Sequence, residues 1–412
     1  MIAQDKIRFE RDKSVRSCYL VSNNKKDCCG CGSCAVKCPK ECISMVEDSE
    51  GFFYPEIKEQ DCIGCGLCKK VCPQEEAKDL YIGRGYAAFS TNKTVLQKSS
   101  SGGIFCEIAS YIIENGGAVY GAYLDSDSLD LTHVRVDKLE DLIKIQGSKY
   151  YQSDLRKTFL ECRDDLENGR LVLFTGVPCQ IEALKRFLGK EYEKLYLGDV
   201  ICHGVPSKKI FSEYVSFLEK KHRAKLVDIS FRDKKKNGWS ITMRYTMRKH
   251  SKDKTYFLIS KMSEYFTGFL SGYFMRESCY HCQFCNRGRA GDFSMGDFWG
   301  FQKTRPELAN DEGLSLILIN SEKGEQIKNI LKNRRVAFHE VSEESIRKSE
   351  NKNLYRPTAR PNIRDTIYNE CDRYGFDYIA QKYLRQNFTF KNRVKNLLPK
   401  RLVDRIKRFA AN

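Results

Sequence analysis

The sequence predicts a small α+β head followed by a larger α/β domain, and three observations carry that reading. Two identical cysteine arrays fill the first part of the chain, every cysteine of the first recurring in the second, Cys28 as Cys62 and Cys38 as Cys72. After Pro73 the composition changes, and apolar runs begin to alternate with helical patterns. Two of those runs end in a cysteine, at the place where open parallel sheets hold their ligands. The boundaries expected from these shifts are 1–79 for the head, 80–385 for the body and 386–412 for a basic tail. A length of 412 residues suits two to three domains at roughly 150 residues each, and 41% hydrophobic content supplies their cores.

The head is read from its thiols. Cys28, Cys31, Cys34 and Cys38 precede Pro39, and Cys62, Cys65, Cys68 and Cys72 precede Pro73. This is the bacterial ferredoxin spacing, in which three close thiolates wrap one four-iron cluster and the fourth ligates its neighbour. The crossed assignment puts Cys28, Cys31, Cys34 and Cys72 on one [4Fe-4S] cluster, and Cys62, Cys65, Cys68 and Cys38 on the other. Gly30, Gly32, Gly64 and Gly66 let the backbone approach the sulfurs. Zinc wants tetrahedral sets built from ligand pairs, and two runs of four ending in Cys-Pro exceed that need. Between the arrays, Ile43 to Val46 and Phe52 to Ile57 flank Asp48-Ser49-Glu50-Gly51, a predicted hairpin. Cys18, Cys29 and Cys42 fall off the spacing and are read as bystanders.

In the body, Ser99-Ser100-Ser101-Gly102-Gly103 stands before the helical stripe Ile104, Ile108, Tyr111 and Ile112, which Gly116-Gly117 closes. A Ser/Gly cap opening a helix is either an ordinary N-cap or a seat for phosphate on free N–H groups. Strands are expected at Ala118 to Tyr123, Leu171 to Phe174 and Leu195 to Ile201. The second leads to Cys179 and an amphipathic helix bearing Ile181, Leu184 and Leu188, and the third leads to Cys202. Farther on, Cys279, Cys282 and Cys285 form a loop that needs a remote thiolate to complete a cubane, which Cys179 or Cys202 could supply; zinc with His281 is the other reading. Cys106, Cys162 and Cys371 lack ligand spacing. The G-x-G-x-x-A match at Gly83 to Ala88 lacks a preceding strand and a following helix, so it is set aside as a dinucleotide motif.

Lys and Arg number 71 against 54 Asp and Glu, a net charge of +17 that favours anionic partners. The basic stretches Arg232 to Lys236 and Arg244 to Lys254, interleaved with Tyr245, Tyr256 and Phe257, are expected as a solvated β surface and not as a nucleic-acid site. The tail from Lys391 to Asn412 is basic and amphipathic, suited to peripheral membrane contact or to docking. Met1 to Ser17 is charged and 19 cysteines fall in clusters, which together predict a cytoplasmic protein with thiols as ligands.

Several segments, taken in order, resemble the coenzyme F420 hydrogenase/dehydrogenase beta-subunit family, with the ferredoxin-like head as a fused module. They are Ser100-Ser101-Gly102-Gly103, Gly147-Ser148-Lys149-Tyr150, Thr175 to Gln180, Cys202, the Cys279 and Cys282 pair, and Gly296-Asp297-Phe298-Trp299-Gly300. The resemblance implies that the α/β domain is flavin-binding and holds FAD beside a third [4Fe-4S] cluster. Carried over by position, Cys179, Cys202, Cys279 and Cys282 ligate that cluster, with Cys285 the rival to Cys202. Ser100, Ser101, Gly102 and Gly103 meet the cofactor, and Lys149 stands near the flavin as the catalytic cation. The implied activity moves electrons between FAD and iron–sulfur centres, coupling a small hydride donor or acceptor to one-electron carriers. Such a chain works with a redox partner protein or a ferredoxin-like carrier, or serves as a non-catalytic electron-transfer subunit. Family members span deazaflavin oxidation, chlorophyll-derivative reduction and proteins similar to those near bacterial polysaccharide genes. The Asp-Phe-Trp-Gly form resembles the last group most.

Overall fold

The structure, a computed structural model, describes residues 18–75, 83–286 and 288–398. In the head, β1 (Ile43–Glu47) and β2 (Phe53–Ile57) pair antiparallel, with Ile43 opposite Ile57. The turn falls at 48–51 as predicted, because Asp48 Oδ1 accepts from both Glu50 and Phe52 N–H groups and closes it. Two short helices, Ser33–Lys37 and Leu67–Lys70, follow the glycines of the two arrays.

The body strands are β3 (Arg84–Ser90), β4 (Ala118–Leu124), β5 (Leu131–Val136), β6 (Val172–Gly176), β7 (Leu195–Val200), β8 (Lys225–Ser230), β9 (Thr242–Lys249), β10 (Lys252–Ile259), β11 (Phe293–Asp297), β12 (Ser315–Ile319) and β13 (Val336–Val341). Eight of them form one sheet in the order β13-β3-β12-β11-β7-β6-β4-β5. The centre, β4-β6-β7-β11, is parallel, and both flanks are antiparallel. The reason lies in the connections. A helix crosses over between β6 and β7, whereas β4 returns to β5 through a turn too short for a crossover. The α/β expectation therefore holds for the centre, and the sheet as a whole is mixed.

Both sheet faces are covered. The helix Ile104–Glu114 lays Ile108 and Ile112, both fully buried, against Val119, Leu173 and Ile317. Burial of each is worth about 1.5–3 kcal/mol. On the other face the helices Arg156–Glu167 and Pro178–Leu188 pack Phe159, Ile181, Leu184 and Phe187 on Phe174. The strands β8, β9 and β10 form a separate antiparallel sheet against the helix Lys208–His222, around an aromatic core of Phe211, Tyr214, Phe231, Tyr265 and Phe274.

That second sheet corrects one expectation. Its outer face is polar, with Arg248 paired to Asp253 at 2.7 Å, but Met243, Tyr245 and Met247 point inward and are buried. Arg232 is buried as well, because Asp297 meets it inside the body. The stretch is half a solvated surface and half a wall of the site described below.

The tail begins as a helix, Phe390–Leu397, whose Asn396 ties it to the body. Its Oδ1 accepts from Ile259 N at 2.9 Å and its carbonyl from Lys236 Nζ at 2.7 Å. The expected membrane-facing stretch after Pro399, the charged start and most of the linker after Glu75 lie outside the described residues. Among the described residues no helix is long and apolar enough to cross a membrane.

The head is seated on the body by polar contacts. Arg364, buried, holds Glu50 with both guanidinium nitrogens and donates to Met275 O at 3.0 Å. Lys37 Nζ reaches Phe187 O at 3.0 Å, and Gln283 Nε2 reaches Gln74 Oε1 at 3.1 Å. Arg364→Met should leave Glu50 facing an apolar wall and lower the unfolding free energy of the iron-loaded chain by about 3 kcal/mol, read in urea melts.

Candidate iron–sulfur and cofactor site

The two arrays repeat in backbone geometry. Gly30 N lies 3.3 Å from Cys28 Sγ, and Gly64 N 3.5 Å from Cys62 Sγ, each N–H directed at a sulfur two residues back. Their surroundings differ. Cys28, Cys31, Cys34 and Cys72, the crossed set expected for the first cluster, line one cavity within the head, together with Cys18, Cys29 and Cys68. In the second set Cys62 and Cys65 are exposed and Cys38 is half-buried, while half-buried Cys68 reaches the cavity of the first. The cysteines off the spacing are not remote from the ligands. Cys42 Sγ is 3.4 Å from Cys38 Sγ, Cys18 lies beside Cys72, and Cys29 beside Cys179 and Cys31. Spacing finds only regular offsets, and these four contacts are tertiary or irregular.

Five more thiols gather in the body. Cys179 lies in the first turn of Pro178–Leu188, directly after β6, and Cys202 follows the end of β7. Cys279 sits in the short turn Glu277–His281, with Cys282 just past it. The thiols that act on Cys179 through space are Cys282, Cys202 and Cys279. Burial pushes Cys279 up to about 12, and neighbouring Cys282 pushes it the same way. Burial likewise raises Cys202, with Cys279 and Cys282 adding to it. Cys279 and Cys202 thus resist becoming thiolate unless positive charge enters beside them, which is what an iron cluster supplies, whereas neighbouring Cys285 lowers Cys282 to about 7. Cys285 is hydrogen-bonded to Cys282 and also lies near Cys202. His281 is turned toward Glu277, 4.0 Å away, with 42% of its side chain exposed. Behind the set, Arg289 pairs with fully buried Asp199 at 2.5 Å.

The third group is polar. Ser100 Oγ accepts from Ser148 N at 2.9 Å, which joins the Ser/Gly loop to the Lys149 loop. Arg232 Nη2 donates to Ser100 O at 2.9 Å, and Nη1 donates to Tyr150 Oη at 3.1 Å and to Asp297 Oδ2 at 2.6 Å. Trp239 Nε1 donates to Asp297 Oδ1 at 2.7 Å, and its ring stacks on Trp299 at 4.1 Å. Lys234 Nζ donates to Ser101 O at 2.6 Å. Three separate segments thus converge, and Arg232 and Lys234, which a reading by charge pattern assigned to a solvated surface, join them together with Trp239.

The loop departs from a simple serine cap. Gly103, at φ +84°, caps the helix, while Ser101 Oγ donates to Leu314 O and Gly102 N to Ser315 Oγ. A Cβ on Gly102 would fall 2.4 Å from Ala88 O, so that glycine is required by the strand beneath it. Lys149 Nζ donates to Gln146 O at 3.0 Å, and burial pushes its pKa down to about 7. His133 is buried, with Nε2 on Thr175 O at 2.8 Å and Nδ1 lacking a hydrogen-bond partner. Burial holds it neutral, with a pKa pushed down to about 4, against the opposing pull of Thr175 O; the Lys149 charge adds to the lowering. His133 carried no sequence signal, since only the fold brings it to the end of β6.

A head with two four-cysteine arrays, seated against a body that brings further cysteines to the ends of parallel strands, defines an iron–sulfur electron-transfer oxidoreductase. Three family models match the chain: a 4Fe-4S dicluster domain over residues 27–75, and the N-terminal and C-terminal parts of the coenzyme F420 hydrogenase/dehydrogenase beta subunit over 85–159 and 169–344. The chain belongs to the coenzyme F420 hydrogenase/dehydrogenase beta-subunit family. Among solved structures it is similar to a chain of the F420-reducing [NiFe] hydrogenase complex from Methanosarcina barkeri, studied by xenon derivatisation, with 17% identity, coverage of 76% of this chain and 93% of that one, and a TM-score of 0.43. No curated protein matches.

Asp297→Ala should strand the buried Arg232 charge and free the Trp239 indole at once. We expect a loss of about 3 kcal/mol in stability together with a red shift in tryptophan emission, since the chain has 2 tryptophans and both stand in this stack.

Proposed function

We propose that the chain is an iron–sulfur flavoprotein that passes electrons between FAD in the body and three [4Fe-4S] clusters, coupling a small hydride donor or acceptor of deazaflavin-like chemistry to a one-electron redox partner. The observation that carries this reading is the meeting of the Ser100 loop, the Lys149 loop and the Asp297 segment around Arg232, in a body that also gathers Cys179, Cys202, Cys279 and Cys282. In this reading those four thiols ligate the third cluster, and Cys285 stands beside Cys282 as a fifth. The head carries the other two clusters on Cys28, Cys31, Cys34 and Cys72 and on Cys62, Cys65, Cys68 and Cys38. The domain limits follow as 1–79, 80–385 and 386–412.

The residues fit FAD. His133 Nδ1 is a buried acceptor without a partner, suited to an N–H or O–H of the cofactor. Lys149 supplies positive charge, and the first turn after Gly103 offers backbone N–H groups that a helix leaves without intrahelical partners. Ser100, Ser101, Gly102 and Gly103 form the loop that meets the phosphates. Gly102 acts by letting the loop lie close to β3, since its own N–H is donated to Ser315. FAD, when bound, would exchange two electrons with a hydride partner and single electrons with iron–sulfur centres. Lys149 favours the negative charge that accumulates there on reduction. Electrons leave or enter at the outer array, where Cys62, Cys65 and Ile63 are exposed to a partner.

Iron, sulfide, zinc and flavin analysis of the anaerobically prepared chain tests this directly. Three clusters give roughly 12 iron atoms, with about one FAD. About 8 iron with zinc and no flavin, persisting after reconstitution with FAD, would overturn the reading of the body. Flavin that no small hydride donor reduces would leave a non-catalytic electron-transfer subunit. Cys202→Ser should lower iron from roughly 12 to roughly 8, while Cys285→Ser keeps roughly 12.

Lys149 gives a pH test with a definite sign. Below about 7 it carries its proton, and above about 7 it loses it in the absence of an anion. FAD affinity should therefore weaken as pH rises through about 7. Lys149→Met should weaken binding about tenfold and abolish that pH dependence, both followed by quenching of Trp239 and Trp299.

A further inference from the structure

One body residue is enclosed by the head. Arg276 precedes the Glu277–His281 turn and is fully buried. Its Nε donates to Cys28 O at 2.7 Å, and its Nη2 to Phe53 O at 2.8 Å and to Cys28 Sγ at 3.3 Å. The remaining Nη1 donates to Gln152 Oε1 at 3.3 Å. The guanidinium carbon lies 4.2 Å from the Tyr54 ring centroid and 5.4 Å from that of Phe52. A Cβ on Gly30 would fall 2.7 Å from Nη1, so the first glycine of the array makes room for this arginine.

What faces its charge is unusual for a buried arginine. Strongest are the Cys28 thiol and the Tyr54 phenol, followed by the thiols of Cys29 and Cys279. The other buried arginine beside the thiols, Arg289, is neutralised by Asp199 at 2.5 Å. Among the described residues the Arg276 charge has no carboxylate partner and bears more on Cys28 than on Cys279 of the body, whereas Arg289 behind the body thiols is compensated. Cys28 and Cys29 are consecutive and both line the head cavity with Cys31, Cys34 and Cys72, and the Cys29 thiol also meets Cys179 of the body. Reducing a four-iron cluster adds one negative charge at low dielectric, and both a fixed cation and a hydrogen bond to a ligand sulfur favour that state.

We propose that Arg276 is a positioning and tuning residue that makes electron transfer downhill from the body cluster to the inner head cluster, by holding the cluster bound through Cys28 at the higher potential. The step moves one electron: the body cluster is oxidised, the inner head cluster is reduced, and no proton moves, since arginine keeps its charge throughout the physiological range. Cys29, beside Cys31 in the head and Cys179 in the body, stands where the two sets of thiols meet. The inference rests on the cluster assignment proposed above.

The test is a redox titration of the iron-loaded full chain followed by electron paramagnetic resonance, with iron content measured alongside. In Arg276→Gln the inner head cluster should lose about tenfold in its share of the electron, a downward shift of about 59 mV, with iron content unchanged and the outer head cluster unmoved. Arg276→Lys, which keeps the charge, should stay near the parent value. An unmoved midpoint in a fully loaded Arg276→Gln chain overturns the proposal. If Arg276→Gln fails to load iron, Arg276→Lys decides together with Asp199→Asn. That second variant unpairs Arg289 and should raise the body cluster toward the inner one; a body cluster that does not move, or a lysine variant shifted by tenfold, overturns it. A parent chain holding only about 8 iron would defeat the three-cluster assignment separately, because the head clusters still titrate and still report on Arg276.

Discussion

Thiols packed this closely repel one another once they ionise, and much of the structure follows from where positive charge is placed among them. The arrays hold eight cysteines and the body gathers five more nearby. Arg276 stands at the boundary between the two groups and Arg289 behind the second. The remaining charge must come from iron, which makes cluster assembly and docking of the head a single energetic problem. Arg364 on Glu50 and Arg276 on Cys28 secure the same interface through two different chemistries, a carboxylate pair and a thiol.

The polar site obeys the opposite logic. Here a buried arginine is fully compensated: Arg232 is met by Asp297, which also accepts from Trp239. The pair fixes three chain segments in space, and Lys149, held by the carbonyl of Gln146, stands near a neutral His133. A site built this way favours an anionic ligand without a large change in its own walls, since the structural charges already have partners.

The parallel strands β6 and β7 relate the two sites. Their carboxyl ends lead to Cys179 and Cys202, and Thr175 near the end of β6 meets His133. That is the general position of ligands on open parallel sheets. The antiparallel flanks, including β3 beneath the Ser/Gly loop, complete the walls.

The sequence by itself determined the head, because its ligands lie at short, regular spacings that only local backbone geometry has to satisfy. It also determined the Ile104 helix and the central strands β4, β6 and β7, where apolar periodicity and short apolar runs are local signals, but not β11 beside them. Tertiary structure alone decided which charges are buried. Arg232, Arg276 and Arg289 read in the sequence as ordinary basic residues, and the partners that make burial tolerable, Asp297, Cys28 and Asp199, lie tens to hundreds of residues away. It also decided that Cys29 faces Cys179 and that His133 reaches the end of β6. Spacing along a chain encodes contacts within a loop; contacts between loops depend on how the sheet stacks them, and that is fixed only when the core closes.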